Sequence, residues 1–335
     1  MAEPQAQSRT GSHEGAAAVV ASDLVLPFQT ETSRVTGRLV RLAGTVDAVL
    51  KRHDYPEPVS EALGQAMALA ALLGTALKFQ GRLILQTKSD GPLGFMVADF
   101  STPGFVRGYA SFDKERYAAL AAAAAVSGGA IAQSDLVGRG HLAMTIDPGG
   151  DMQRYQGIVA LDHATLTDAA LAYFRQSEQL PTFIRLAVAR EKEAGSAGGW
   201  SWRAGGLLLQ HVSPQGGRSS EELAAAEERG LLHGEEDDDW LRVSLLAGTV
   251  ADHELVDSHL APERLLYRLF HEEGVRVSPP QPLAQYCTCS RERVYEFLKG
   301  FGPAELADMK EADGTIAVTC EFCSTRYPFV EDELV

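Results

Sequence analysis

Residues 82–99 read RLILQTKSDGPLGFMVAD. Two mainly apolar runs, Arg82–Lys88 and Leu93–Asp99, flank Ser89-Asp90-Gly91-Pro92, a cluster of residues that reverse a chain. This is the pattern of a β-hairpin, and it sets the polarity of the sheet around it as antiparallel. Upstream, residues 60–79 form an Ala- and Leu-rich stretch without Pro, which predicts a buried helix. Downstream, Phe105–Ser111, His141–Asp147 and Arg154–Leu161 have strand character, the last two separated by Pro148, Gly149 and Gly150. A helix over about residues 166–179 is stopped by Pro181, and Thr182–Glu191 and residues 200–212 read as strands around a Gly-rich loop. Strands mixed with separate helices, without βαβ alternation, predict an α+β fold with a largely antiparallel sheet.

The 335 residues suggest two or three domains, and 45% apolar composition is ample for a core. Residues 1–22, rich in Ala, Ser, Gln and Gly without periodicity, are expected to be a disordered tail. Residues 23–218 form the expected core domain, and composition changes at Ser213–Arg218. Residues 219–284 read as a helical acidic linker. In it Ser219 and Glu222 have capping-box spacing, residues 239–251 suit a helix, and Pro262 opens another whose Leu265, Leu266, Leu269 and Phe270 share one face. That face must pack, either by ordinary docking on the core or as an interaction surface exposed in some states. Residues 285–335 form a small C-terminal module: residues 290–299 suit a helix ending at Gly300, Pro303 starts another, and Asp313-Gly314 turns into a strand.

The net charge of −15 is uneven, with 15 acidic and 4 basic side chains over residues 221–273. Such acidity opposes binding to phosphate backbones, so no nucleic-acid partner is expected. The run Glu235-Glu236-Asp237-Asp238-Asp239 reads as a solvated loop, or as a self-repelling, easily opened segment. No apolar run approaches membrane length, so no membrane partner is expected, and cytoplasmic localisation is. Walker A and G-x-S-x-G motifs are absent; Gly138-Arg139-Gly140 leads to Ala143 where a third Gly would complete a dinucleotide fingerprint. The nine His have no ligand spacing, and no catalytic residue is assigned. Gly205 and Gly206, ahead of Leu207–Leu209, suit a close backbone approach better than a binding loop.

All four cysteines stand near the C-terminus, as Cys287-Thr288-Cys289 and Cys320-Glu321-Phe322-Cys323. Two close pairs on two loops have the spacing of one tetrahedral Zn²⁺ site. Four thiolates around a divalent ion leave a local charge near minus two. Arg291, Arg293 and Arg326 are the cations expected to offset it. Three readings fit the spacing: a structural zinc knuckle, a redox-sensing zinc site, and a thioredoxin-like C-x-x-C enzyme. The last suffers because Cys320–Cys323 lies outside any βαβ unit. A helix start and two arginines after Cys289 favour its thiolate.

Tyr286-Cys-Thr-Cys-Ser-Arg-Glu-Arg293, Glu311-Ala-Asp-Gly-Thr315 and Val318-Thr-Cys-Glu-Phe-Cys323 resemble the redox-switch module of the 33 kDa chaperonin family, the oxidation-activated holdases. Asp90-Gly-Pro-Leu-Gly94, Tyr155-Gln-Gly157, Tyr173-Phe-Arg-Gln-Ser-Glu-Gln-Leu-Pro-Thr182, residues 205–210 and Leu266-Tyr-Arg-Leu-Phe-His-Glu-Glu273 resemble its core and linker. The N-terminal tail and the acidic insertion around residues 215–239 depart from the family pattern. The resemblance implies a non-enzymatic, ATP-independent chaperone, inactive when reduced with one Zn²⁺ on Cys287, Cys289, Cys320 and Cys323. It implies that oxidation joins Cys287 to Cys289 and Cys320 to Cys323, a pairing that short loop closure also favours. It further implies an activated homodimer that binds unfolding client proteins, for which Leu265, Leu266, Leu269 and Phe270 are the candidate surface. The competing classes are a constitutive zinc-ribbon adaptor and a dithiol-disulfide oxidoreductase.

Overall fold

The structure, a computed structural model, describes residues 22–33, 35–77, 80–150, 152–192, 199–211 and 237–334. The expected tail (all but Ser22), Lys78 and Phe79, the Ser219–Glu222 helix start, and Glu235 and Glu236 lie outside the described residues.

The chain opens with β1 (Leu24–Thr30) and β2 (Val35–Leu42), then α1 (Gly44–Leu50) and α2 (Glu57–Gly74). The hairpin follows as β3 (Arg82–Ser89) and β4 (Phe95–Ser101), antiparallel, with Lys88 opposite Phe95. Next come β5 (Phe105–Ser111), α3 (Lys114–Ser127), α4 (Gln133–Val137), β6 (Arg139–Asp147), β7 (Tyr155–Asp162) and α5 (Leu166–Tyr173). The long strands β8 (Thr182–Lys192) and β9 (Trp200–His211) complete this part. Three helices, α6 (Asp238–Gly248), α7 (Asp252–Val256) and α8 (Pro262–Phe270), lead into the short strands β10 (Val275–Val277), β11 (Gln281–Pro282) and β12 (Ala284–Gln285).

Two sheets result. The first has the order β10-β1-β2-β9-β8, with β11 also on β1; the second runs β12-β5-β4-β3-β6-β7. Every pairing is antiparallel except β12 on β5, so the fold is α+β and largely antiparallel, as expected. Helix α2 lies between the sheets, with Ala, Leu and Met side chains buried all round it, as a helix in the middle of a core must be. It starts three residues earlier than the sequence suggests, at Glu57 behind Pro56, and ends at Gly74. Small residues let the sheets close on it: a Cβ at Gly108 of β5 would stand 3.0 Å from Leu63 and Met67.

The helix expected over residues 166–179 stops as an α-helix at Tyr173 and continues as a π-helical turn, Phe174–Glu178, closed by Gln179 in the left-handed region (φ 50°). Tyr173 donates to Glu178 Oε1 at 2.8 Å within that turn. Residues 239–251, expected as one helix, break at Thr249; α7 is a separate helix whose start Glu254 closes by accepting from the Ala251 N–H at 2.9 Å. Asp237, Asp238 and Asp239 form the N-terminal end of α6, with Asp237 accepting from Asp239 N. Carboxylates there meet the positive end of the helix dipole, so this part of the acidic run is a helix start.

The outer face of the first sheet, away from α2, is apolar and covered by α6–α8. Trp240, Val243 and Ala247 of α6, Leu255 of α7, and Leu265, Leu266, Leu269 and Phe270 of α8 pack on Leu26, Phe28, Leu39, Leu207 and Leu209. The Phe28 and Phe270 rings stack at 5.6 Å. Gly205 is where a backbone comes closest: a Cβ there would lie 2.2 Å from the Leu255 carbonyl oxygen. The close-approach reading of this glycine holds. Arg41 of β2 donates to the carbonyls of Glu254 (2.8 Å) and Asp257, fastening the end of α7 to the same sheet. Gly205→Ala is therefore expected to push α7 off β9 and to cost about 1–3 kcal/mol, the range for overpacking. Urea unfolding monitored by Trp fluorescence checks this, and an unchanged midpoint would refute the contact.

Candidate metal centre

Past β12 the chain folds a last small unit: α9 (Arg291–Leu298), α10 (Pro303–Asp308), the hairpin β13 (Ile316–Thr319) and β14 (Arg326–Phe329), and α11 (Glu331–Leu334). Its core is five buried side chains, Leu298, Leu306, Ile316, Phe329 and Leu334. The first cysteine loop runs from β12 to Ser290, whose hydroxyl caps α9 by accepting from Arg293 N at 3.3 Å. The second joins β13 to β14. Cys320 N donates to Thr325 O at 2.9 Å, Ser324 N to Cys320 O at 2.8 Å, and Ser324 takes a left-handed φ of 56° to close the turn.

These loops bring the Sγ atoms of Cys287, Cys289, Cys320 and Cys323 within 4.8 Å of one another, all half-buried. Cys287 lies 3.6 Å from Cys320, and Cys289 3.2 Å from Cys323. A disulfide needs about 2.05 Å. A tetrahedron of sulfurs about 2.3 Å from a shared Zn²⁺ has edges of about 3.8 Å. The four sulfurs are thus close enough to bind a metal ion, and their donor chemistry suits Zn²⁺.

Acidity is unequal among them. Burial pushes the Cys323 thiol up, but the Thr325 hydroxyl, 3.2 Å away, and the Thr325 N–H bring it down to about 6, helped by Cys289 and Cys320. Cys289 is pushed up to about 12 by burial and by the neighbouring thiols, against the lowering effect of the Tyr327 hydroxyl, which donates to it at 3.1 Å. Cys323 is a readier thiolate than Cys289, to which the sequence pointed, because a second-loop hydroxyl reaches Cys323 while burial dominates at Cys289.

The charge-offsetting arginines also need correction. Arg291 donates to Pro328 O and pairs with Glu333 at 2.5 Å, and its guanidinium lies 4.2 Å from the centre of the Phe329 ring. Arg293 donates to Thr288 O at 2.6 Å, and Arg326 pairs with Glu311. The guanidinium that reaches the cysteine loop from the core is Arg107 of β5, which donates to Thr288 Oγ1 at 3.3 Å; its pKa, lowered by burial, is raised by Asp99 and by the charge of the adjacent Cys287. Nothing local marks it, because it comes from a strand 180 residues away in the chain, on the outer face of the second sheet.

The candidate client-binding residues Leu265, Leu266, Leu269 and Phe270 are 0–3% exposed, closed against the first sheet and on the opposite side of the core from the cysteines. Between the two places run β10 and β11, paired with β1, and β12, paired with β5, so both sheets hold the connection.

A two-sheet α+β core, helices closed over one outer face and a four-cysteine unit on the other define a class of protein with a thiol centre tied to its fold. This chain belongs to the Hsp33 protein family, whose model matches residues 23–330 and whose curated members are named as chaperones. It is 44% identical to the 33 kDa chaperonin of Caulobacter vibrioides over 92% of this chain and 95% of that protein. To the 33 kDa chaperonin of Nitrosococcus oceani it is 38% identical, over 90% of this chain and 89% of the other. The crystal structure of the 33 kDa chaperonin of Thermotoga maritima has the same fold, with a TM-score of 0.69 at 21% identity, over 93% of this chain and 96% of that one. Among the described residues no helix is long and apolar enough to cross a membrane.

Proposed function

We propose that this protein is a redox-regulated, ATP-independent holdase of the cytoplasm. The observation that carries the reading is the gathering of all four cysteines into one sulfur cluster on a unit with a five-residue core. In the reduced state Cys287, Cys289, Cys320 and Cys323 hold one Zn²⁺, which supplies the cross-link that so small a core lacks. Oxidation joins Cys287 to Cys289 and Cys320 to Cys323, and the unit opens. With 23–218 as core, 219–284 as linker and 285–335 as switch, the linker then loses a neighbour, and the stripe Leu265, Leu266, Leu269 and Phe270, with the sheet face beneath it, becomes apolar surface for unfolding clients. The active form is a homodimer, and no step is enzymatic.

One set of measurements tests this. Reduced protein should contain one zinc and four free thiols per chain and should not prevent aggregation of a heat-unfolded protein. Peroxide-treated protein should have lost the zinc, suppress aggregation, scatter light as a dimer, and yield peptides linked 287–289 and 320–323. Zinc well under one per chain, or mainly crossed disulfides such as 289–320, would reject the switch; full activity of the reduced form would favour a constitutive adaptor.

A further inference from the structure

The residues lying between the paired cysteines all touch the core. Thr288, inside the first pair, accepts from Arg107 Nη1 at 3.3 Å. Glu321 and Phe322, inside the second, meet Tyr109 and Arg107: Tyr109 donates to Glu321 Oε1 at 3.2 Å, and the Arg107 guanidinium lies 4.1 Å from the centre of the Phe322 ring. Arg107 is itself held from below. Its Nε and Nη2 each donate to Asp99 at 2.8 Å, and Asp99, 3% exposed, also accepts from Arg82 at 2.7 Å. A fork fixed by a buried carboxylate presents its remaining edge to Thr288, next in the chain to Cys287, and its face to Phe322.

We propose that Arg107 is a positioning residue that makes retention of the metal and docking of the cysteine unit on the core depend on each other. Anionic sulfur gives the guanidinium a partner across the interface, and the guanidinium offsets part of the charge the sulfurs share. Four thiolates, two molecules of hydrogen peroxide and four protons give two disulfides and four water molecules; the electrons pass from sulfur to peroxide, and the sulfurs end neutral. Arg107 then keeps Asp99 and loses the negative charge beside it at Cys287. Closing each loop into a disulfide also re-aims Thr288, Glu321 and Phe322, so charge and shape fail together. Coupling of this kind is reciprocal: a lesion in the core should loosen the metal.

The inference rests on the metal-site reading, and the test separates the two. Full-length, reduced, zinc-loaded protein is mixed with a chromogenic chelator, and the rate of zinc loss is followed beside hydrogen exchange of β12. Arg107→Gln is expected to speed zinc loss roughly fivefold to a hundredfold, the usual span of such coupling, and to strip protection from Ala284 and Gln285. Arg107→Lys, which keeps the charge without the fork, should fall between. Arg326→Gln, within the unit and paired with Glu311, should release zinc at the wild-type rate. If Arg107→Gln does not fold, Phe322→Ala asks the same from the other side of the contact with the core intact, and the same two changes are expected. Wild-type zinc loss and β12 protection in Arg107→Gln, or in Phe322→Ala where that variant stands in, would overturn the inference alone; a wild-type chain that takes up no zinc would overturn the metal-site reading on which it stands.

Discussion

Cys323→Ser is expected to unfold residues 287–334 in the reduced protein while leaving the two sheets and α2 folded. The unit has five buried side chains for close to fifty residues, well below what a chain needs to fold by itself. A structural zinc contributes about 10–16 kcal/mol of apparent binding energy, and removing one of its four sulfur ligands takes away most of it. Serine is close in size to cysteine, so packing is hardly disturbed and the effect reads the metal. In amide exchange, protection at Leu298, Leu306, Ile316 and Phe329 should vanish, whereas α2, buried between the sheets, should keep its own. A chelator strong enough to strip the wild type should reproduce this pattern. Retained protection at those four amides in metal-free protein would mean that the small core suffices without the sulfur centre.

How much of this was legible beforehand depended on whether the signal was local. β5 runs over Phe105–Ser111 as its pattern says, and the β3–β4 hairpin reverses at its Ser-Asp-Gly-Pro cluster. The α8 stripe buries all four of its members, because a 3.6-residue period records which face is covered. The same period is silent on what covers it. β1 and β2 carry interior breakers, Pro27 and Gly37, that hide strands from pattern reading. Pro27 is tolerated because it falls between the residues of β1 that pair with β10 and those that pair with β11, with its carbonyl accepting from Ser278 N at 2.8 Å. Helix α3 buries no side chain, so its Ala run has propensity without periodicity. The cysteine pairs were visible as spacing, but their charged partner was not: Arg107 and Thr288 are 181 residues apart, and the nearer arginines after Cys289 satisfy other groups.

Oxidation is expected to lower amide protection across the linker, residues 219–284, by about a hundredfold or more, at 1.4 kcal/mol per tenfold, with α2 unchanged. The helices α6–α8 lie on the sheet as an outer layer, and their attachment is of two kinds. One is apolar, through Trp240, Val243, Leu255 and the α8 stripe. The other is polar and sits at separate points: Arg41 on the end of α7, Arg185 of β8 to Asp252 at 2.7 Å, and Ser258, which donates to Glu191 of β8 at 2.7 Å. Against both stands the crowding of 15 acidic with 4 basic side chains over residues 221–273, which favours an expanded segment. The layer is then held at its far end by β10, β11 and β12, short edge strands of two or three residues paired with β1 and β5, the last of which leads straight into the cysteine unit. When that unit opens, β12 is the first ladder without an anchor, followed by β11 and β10. A local loss of a few kcal/mol is enough to release a segment of marginal stability. The sheet face carrying Leu26, Phe28, Leu39, Leu207 and Leu209 would be uncovered by the same event that frees the stripe, so both halves of the contact become available to clients at once. Equal linker protection in reduced and oxidised protein, in a sample that has gained holdase activity, would break this chain of events between the sulfur centre and the binding surface.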